Sequence, residues 1–169
     1  MSAISAAVAR PSLGIPAEEF GDPFTRRLLL HGGSTTAQLE QRLGALLEVR
    51  VCEQHLLKGT RLVRRTELVL PGGLVVSRNL VTGQLPGDPS LAAAITGPQV
   101  PLGRAVAACG TGQRRELLWC ALGDWDAPGS QGGQAVCRGY MLWLAAEEPL
   151  YVEEWFNPAV VPATLERAS

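Results

Sequence analysis

Residues 61–80 read Arg61-Leu62-Val63-Arg64-Arg65-Thr66-Glu67-Leu68-Val69-Leu70-Pro71-Gly72-Gly73-Leu74-Val75-Val76-Ser77-Arg78-Asn79-Leu80, and their pattern sets the fold class. Arg61 to Leu70 is rich in Val and Leu and free of internal Gly or Pro, as a strand requires. Pro71-Gly72-Gly73 turns the chain, and Leu74 to Leu80 returns as the second arm of an antiparallel hairpin. Neighbours on a strand point to opposite faces, so one of Arg64 and Arg65 faces the covered side if the other meets water. Arg64 shares its parity with Leu62, Leu68 and Leu70, which favours Arg64 inward. The competing reading is an edge strand whose two guanidiniums both reach solvent on their alkyl stems.

Upstream of this hairpin, Asp22-Pro23 is an N-cap followed by a first-turn proline, opening a short helix through Arg26 to Leu30 that His31-Gly32-Gly33 ends. Ser34 caps a second helix, Thr36 to Leu43, with Gly44 as terminator. Leu46 to Cys52 is extended. Downstream, Asp88-Pro89 repeats the cap-plus-proline signature before a helical run Leu91 to Ile95, and Pro101-Leu102-Gly103 begins a helix that stops at Gly110. Arg115 to Leu122, Val136 to Ala145 and Leu150 to Phe156 read as strands, with Gly123 to Gln134 as a long Gly-rich loop. About six strands joined mostly by hairpins, with helices gathered in two places, predict an α+β fold on an antiparallel sheet. Residues 1–21 read as a loosely held arm and 22–169 as a single domain, with the tail from Pro158 irregular and exposed.

Composition narrows the function classes. The 169 residues are 46% apolar, enough for one domain with its own core, and the formal net charge is −1. No global field recruits nucleic acid or an anionic membrane. The expected setting is the cytoplasm, since Met1 to Arg10 lacks the basic leader and apolar core of a signal peptide and no apolar run is long enough to span a bilayer. Cys52, Cys109, Cys120 and Cys137 form no C-x-x-C pair, so they read as small buried hydrophobes. With His31 and His55 the only histidines, no zinc site is expected. There is no G-x-S-x-G and no P-loop, and Asp124-Trp125-Asp126 reads as a polar hairpin tip.

Charges that a fold buries are the informative ones, because leaving water is costly without a partner or ligand. Arg64 or Arg65 is one candidate. Glu154 is the other, sharing a strand face with Val152 and Phe156 while Glu153 takes the opposite one.

Taken in order, four stretches resemble the chorismate lyase family. They are Gly33-Ser34-Thr35-Thr36 with Leu39-Glu40, Val63 to Leu68 with Arg78 across the hairpin, Pro101-Leu102-Gly103-Arg104, and Glu154-Trp155-Phe156-Asn157-Pro158 after Pro149. The resemblance spans roughly residues 22–158. It implies a six-stranded antiparallel sheet with helices forming flaps over a buried ligand site. It also implies an enzyme that splits chorismate into 4-hydroxybenzoate and pyruvate for quinone head-group synthesis, without cofactor or metal. Arg64 or Arg65 would grip the ring carboxylate, the backbone amides of Thr35 and Leu102 would add donors to it, and Glu154 would face the ring hydroxyl. The implied partners are that substrate and product only, in a monomer or weak oligomer. The alternative is a non-catalytic module of the same fold that binds a small aromatic ligand.

Overall fold

Six strands carry alternating side chains, and the apolar set on one face is what the helices cover. In the computed structural model, which describes residues 14–145 and 147–166, the chain runs α1 (Pro23–Leu30), α2 (Thr35–Leu43), β1 (Glu48–Leu57), β2 (Arg61–Val69), β3 (Val75–Gln84), α3 (Pro89–Thr96), α4 (Leu102–Ala108), β4 (Gln113–Asp124), β5 (Gln134–Leu144) and β6 (Leu150–Phe156). The strands form one open antiparallel sheet in the order β1-β2-β3-β6-β5-β4. This is the α+β class with a six-stranded antiparallel sheet and four helices.

The helix starts follow the sequence signals. The Asp22 carboxylate accepts from Thr25 N–H at 2.9 Å, Ser34 caps α2 through Ala37 N–H, and Asp88 caps α3 through Ser90 and Leu91. The β2–β3 turn needs positive φ at two successive residues, 108° at Gly72 and 98° at Gly73, which glycine adopts without a Cβ clash. Leu70 and Leu74 then close the hairpin with a 2.9 Å backbone bond.

Two apolar clusters fill the helix-covered side. Phe24, Leu28 and Leu39 from α1 and α2 pack on Leu68, Val136 and Phe156. Leu91, Ile95 and Val106 from α3 and α4 pack on Leu62, Val81, Tyr140 and Val152. Burying a side chain of this size contributes about 1.5–3 kcal/mol. The chain leaves the sheet after β3, builds α3, α4, β4 and β5, and comes back with β6 between β3 and β5. That return sets Glu154 opposite Asn79 on one side and Arg138 on the other, in the middle of the sheet.

Several expectations need correcting. Residues 1–13 of the expected arm lie outside the described residues, but 14–21 are held in place. Ile15 N–H bonds the Cys120 carbonyl at 2.8 Å, and Phe20 is fully buried because its ring completes the first cluster. The tail is anchored as well, since Val160 and Val161 enter the same cluster. The 123–134 loop is shorter than its composition implies, because β4 runs to Asp124 and β5 starts at Gln134. Trp125 is no polar tip. It folds back onto Val69, Val75 and Ala135, which bury it to 3% exposure. Cys120 and Cys137 are buried but Cys52 and Cys109 are exposed, one on the edge strand β1 and one capping the short α4. Among the described residues, no helix is long and apolar enough to cross a membrane.

Candidate functional site

Strand alternation brings Arg64, Arg138 and Glu154 to the covered face. On β2, Arg64 lies between Leu62 and Thr66 in parity and is 2% exposed. It is therefore the inward arginine. Arg65 lies on the opposite face, half-buried, and pairs with Glu53 of β1 at 3.1 Å. That settles the orientation left open by the doubled arginine and separates Arg65 from the cavity described next.

Arg64, Thr35, Leu102 and Glu154 all line one enclosed cavity between the sheet and the starts of α2 and α4. Thr35 is the first residue of α2 and Leu102 the first of α4, positions whose amide N–H has no partner within its own helix. The two helix starts are in direct contact, since a Cβ at Gly103 would lie 3.1 Å from the Ser34 hydroxyl. The cavity is closed down to about 40 Å³.

Arg64 donates to the Gln54 side-chain oxygen at 2.5 Å and to the Gly97 carbonyl at 2.7 Å. Neither acceptor is charged, and among the described residues no carboxylate comes within ion-pair distance of it. Burial lowers its pKa from the ordinary arginine value, the signature of a cation removed from water without a counterion.

Glu154 is the opposite case. Its Oε2 accepts from Arg138 Nε at 2.8 Å and from the Thr35 hydroxyl at 3.2 Å, and its Oε1 accepts from the Tyr140 hydroxyl at 3.1 Å. Burial alone would raise this carboxyl. The attraction of Arg138 and Arg115, with hydrogen bonds from Arg138 and Thr35, outweighs it and holds the group below the usual carboxylate range. Burial likewise works to lower Arg138, but Glu154 and then Tyr140 keep it raised. Burial and the neighbouring Glu154 push the Tyr140 phenol up, so it stays a donor.

Arg138, Tyr140 and Arg115 were not singled out from the sequence. Arg138 is 2% exposed and spends its donors on Glu154, on the Leu28 and Leu29 carbonyls at the end of α1, and on the Thr35 hydroxyl. The same parity that marks Glu154 marks Arg138, which alternates with Val136, Tyr140 and Leu142 on β5. Arg115 of β4 donates to Thr35 Oγ1 at 2.8 Å, and its buried Nε has no partner among the described residues. Thr35 Oγ1 is thus saturated, accepting from two arginines and donating to Glu154.

The arrangement has a clear electrostatic sense. The Arg138–Glu154 pair is internally neutral, while Arg64 and Arg115 keep two positive charges beside the cavity without carboxylate partners among the described residues. A carboxylate between a buried guanidinium and two helix-start amides gains charge-assisted hydrogen bonds from each. Glu154 retains acceptor capacity on Oε1, since only one of that oxygen's two lone-pair directions is used. Compared with known proteins, the chain matches no family model and no curated sequence.

Proposed function

We propose that this protein is a chorismate lyase, forming 4-hydroxybenzoate and pyruvate in the Arg64–Glu154 cavity. One observation carries the reading: a fully buried arginine without a counterion shares an enclosed space with a carboxylate whose charge is already compensated. The sequence resemblance names the same residues, and the fold class agrees with it.

In this reading the ring carboxylate takes the free donors of Arg64 together with the Thr35 and Leu102 amides. Arg115 supplies a second positive charge for the enolpyruvyl carboxylate of a dianionic substrate. The ring hydroxyl donates to Glu154 Oε1. Reaction breaks the ether bond between ring and enolpyruvyl group, the departing oxygen keeping the bonding pair, and the ring carbon that bears the hydroxyl gives up its hydrogen as a proton to the departing enolpyruvate. The ring becomes aromatic and the released enol becomes pyruvate. The elimination is downhill, so orientation and exclusion of water supply the acceleration. Glu154, held ionised with a low pKa, is a weak base at neutral pH and acts by fixing the hydroxyl.

Ligand pockets commonly enclose about 300–1,000 Å³, so a cavity of about 40 Å³ admits an aromatic ring only when α2 and α4 part from the sheet. The helix starts act as flaps in this account. Calorimetric titration tests the ligand assignment. 4-Hydroxybenzoate should bind at least about 100-fold more tightly than 4-hydroxybenzyl alcohol, the loss of a charge-assisted grip. Equal affinities would refute the proposed carboxylate grip.

A further inference from the structure

The face of the sheet away from the helices holds a second, larger cavity whose chemistry the Arg64–Glu154 site does not use. Glu153 and Trp155 flank Glu154 on β6 and so project to this opposite face. Trp119 and Trp143 project there as well, paired in register with Gly139 and Arg114, and Trp119 lies directly over Gly139, where a Cβ would come within 2.3 Å of its ring nitrogen. A cavity of about 480 Å³ opens on this face, within the range of about 300–1,000 Å³ typical of ligand sites. Trp125 and Trp155 wall it, with Arg65, Arg78, Leu80 and Glu153.

One buried carboxylate oxygen in that lining has no hydrogen-bond partner among the described residues. Glu153 is 3% exposed; its Oε1 accepts from the Tyr151 hydroxyl at 2.8 Å, and its Oε2 has no hydrogen bond. Among the described residues no cation reaches ion-pair distance of it. Both arginines of the cavity are already paired, Arg65 with Glu53 at 3.1 Å, and Arg78 with Glu67 at 3.2 Å and Asp126 at 2.7 Å in the same lining, its guanidinium 5.7 Å from the centre of the Trp125 ring. Glu67, Asp124, Asp126 and Glu153 outnumber Arg65 and Arg78, so the lining carries a surplus of two negative charges.

A buried carboxylate without a cation is costly, whereas indole faces attract cations more strongly than any other side-chain ring. We infer that this cavity binds a small free organic cation with N–H donors, an alkylammonium or alkylguanidinium, whose head reaches Glu153 Oε2 beside Trp155. The site lies on the other side of the sheet from the Arg64–Glu154 cavity, and the two linings share only Thr66 and Asn79.

The test is a titration of the full-length protein with n-butylguanidinium at low salt, following the indole N–H resonances, with n-pentanol as the neutral control. Butylguanidinium should shift the Trp125 and Trp155 signals saturably in the millimolar range, and pentanol should not. Glu153→Gln should weaken binding at least about tenfold. Leu80→Lys, opposite Glu153 in register, places a tethered ammonium beside the carboxylate and should abolish binding even if Glu153→Gln fails to fold. Affinity for 4-hydroxybenzoate should stay unchanged in both folded variants. No saturable shift, equal binding of pentanol, or binding that survives Leu80→Lys would overturn the inference.

Discussion

Replacing Arg138 by Met removes the cation that holds Glu154, and the structure sets the size of the effect. The guanidinium makes four hydrogen bonds, to Glu154 Oε2, the Leu28 and Leu29 carbonyls and Thr35 Oγ1. Methionine fills much of the volume but offers no donor, so a buried carboxylate and two helix-end carbonyls lose partners together. Breaking a buried pair by removing one member costs about 3–5 kcal/mol, against a total stability of about 5–15 kcal/mol for a domain. For a domain of this size that lowers the melting temperature by roughly 10–15 °C. Urea unfolding followed by tryptophan fluorescence and far-ultraviolet circular dichroism measures it. Adding Glu154→Leu to Arg138→Met should restore most of the loss, because the uncompensated charge is then gone. A loss below about 1 kcal/mol for Arg138→Met, or strictly additive effects in the double variant, would refute the argument that this pair is a tightly coupled buried unit.

Other outcomes follow from the same geometry. Since Glu154 is depressed in the folded state, its stabilisation is complete above the unfolded carboxyl value of about 4.3 and is lost as pH falls through the lower folded value. Glu154→Gln should therefore flatten the acid limb of stability against pH in urea titrations between pH 2 and 5, a window of about 3 units around those values. Arg64→Ala should weaken 4-hydroxybenzoate binding by roughly 10- to 100-fold while Arg65→Ala stays within about twofold, read by calorimetry; equal mild losses would remove Arg64 from the site. Burial pushes the Cys120 thiol up to about 11 and Cys137 up to about 12, so a thiol reagent at neutral pH should label only the exposed Cys52 and Cys109 before denaturant is added.

Much of this architecture is local enough to be read before folding is considered. The Asp22-Pro23 and Asp88-Pro89 starts and the Pro71-Gly72-Gly73 turn are short-range devices, and each forms where its residues demand. Strand parity orients Arg64 and Glu154 correctly because both lie among apolar neighbours of the same parity. Arg138 carries the same mark, but its importance rests on what it meets: the end of α1, the start of α2 and a neighbouring strand, all distant in sequence. Arg115 lies beyond parity alone, since the register shift between Leu117 and Trp119 breaks the alternation of β4. The tertiary anchoring of Phe20, Trp125 and Val161 also escapes a local reading, because segments of Pro, Gly and small residues look loose until a core is present to receive one large side chain.

Incubating the purified protein with chorismate and separating the products by chromatography decides whether Arg64 and Glu154 build a lyase site. Expected are 4-hydroxybenzoate and pyruvate in equal amounts, a rate reduced at least about 100-fold in Arg64→Ala, and near-normal turnover in Arg65→Ala. Folded protein that releases neither product above the spontaneous rate would contradict the lyase assignment.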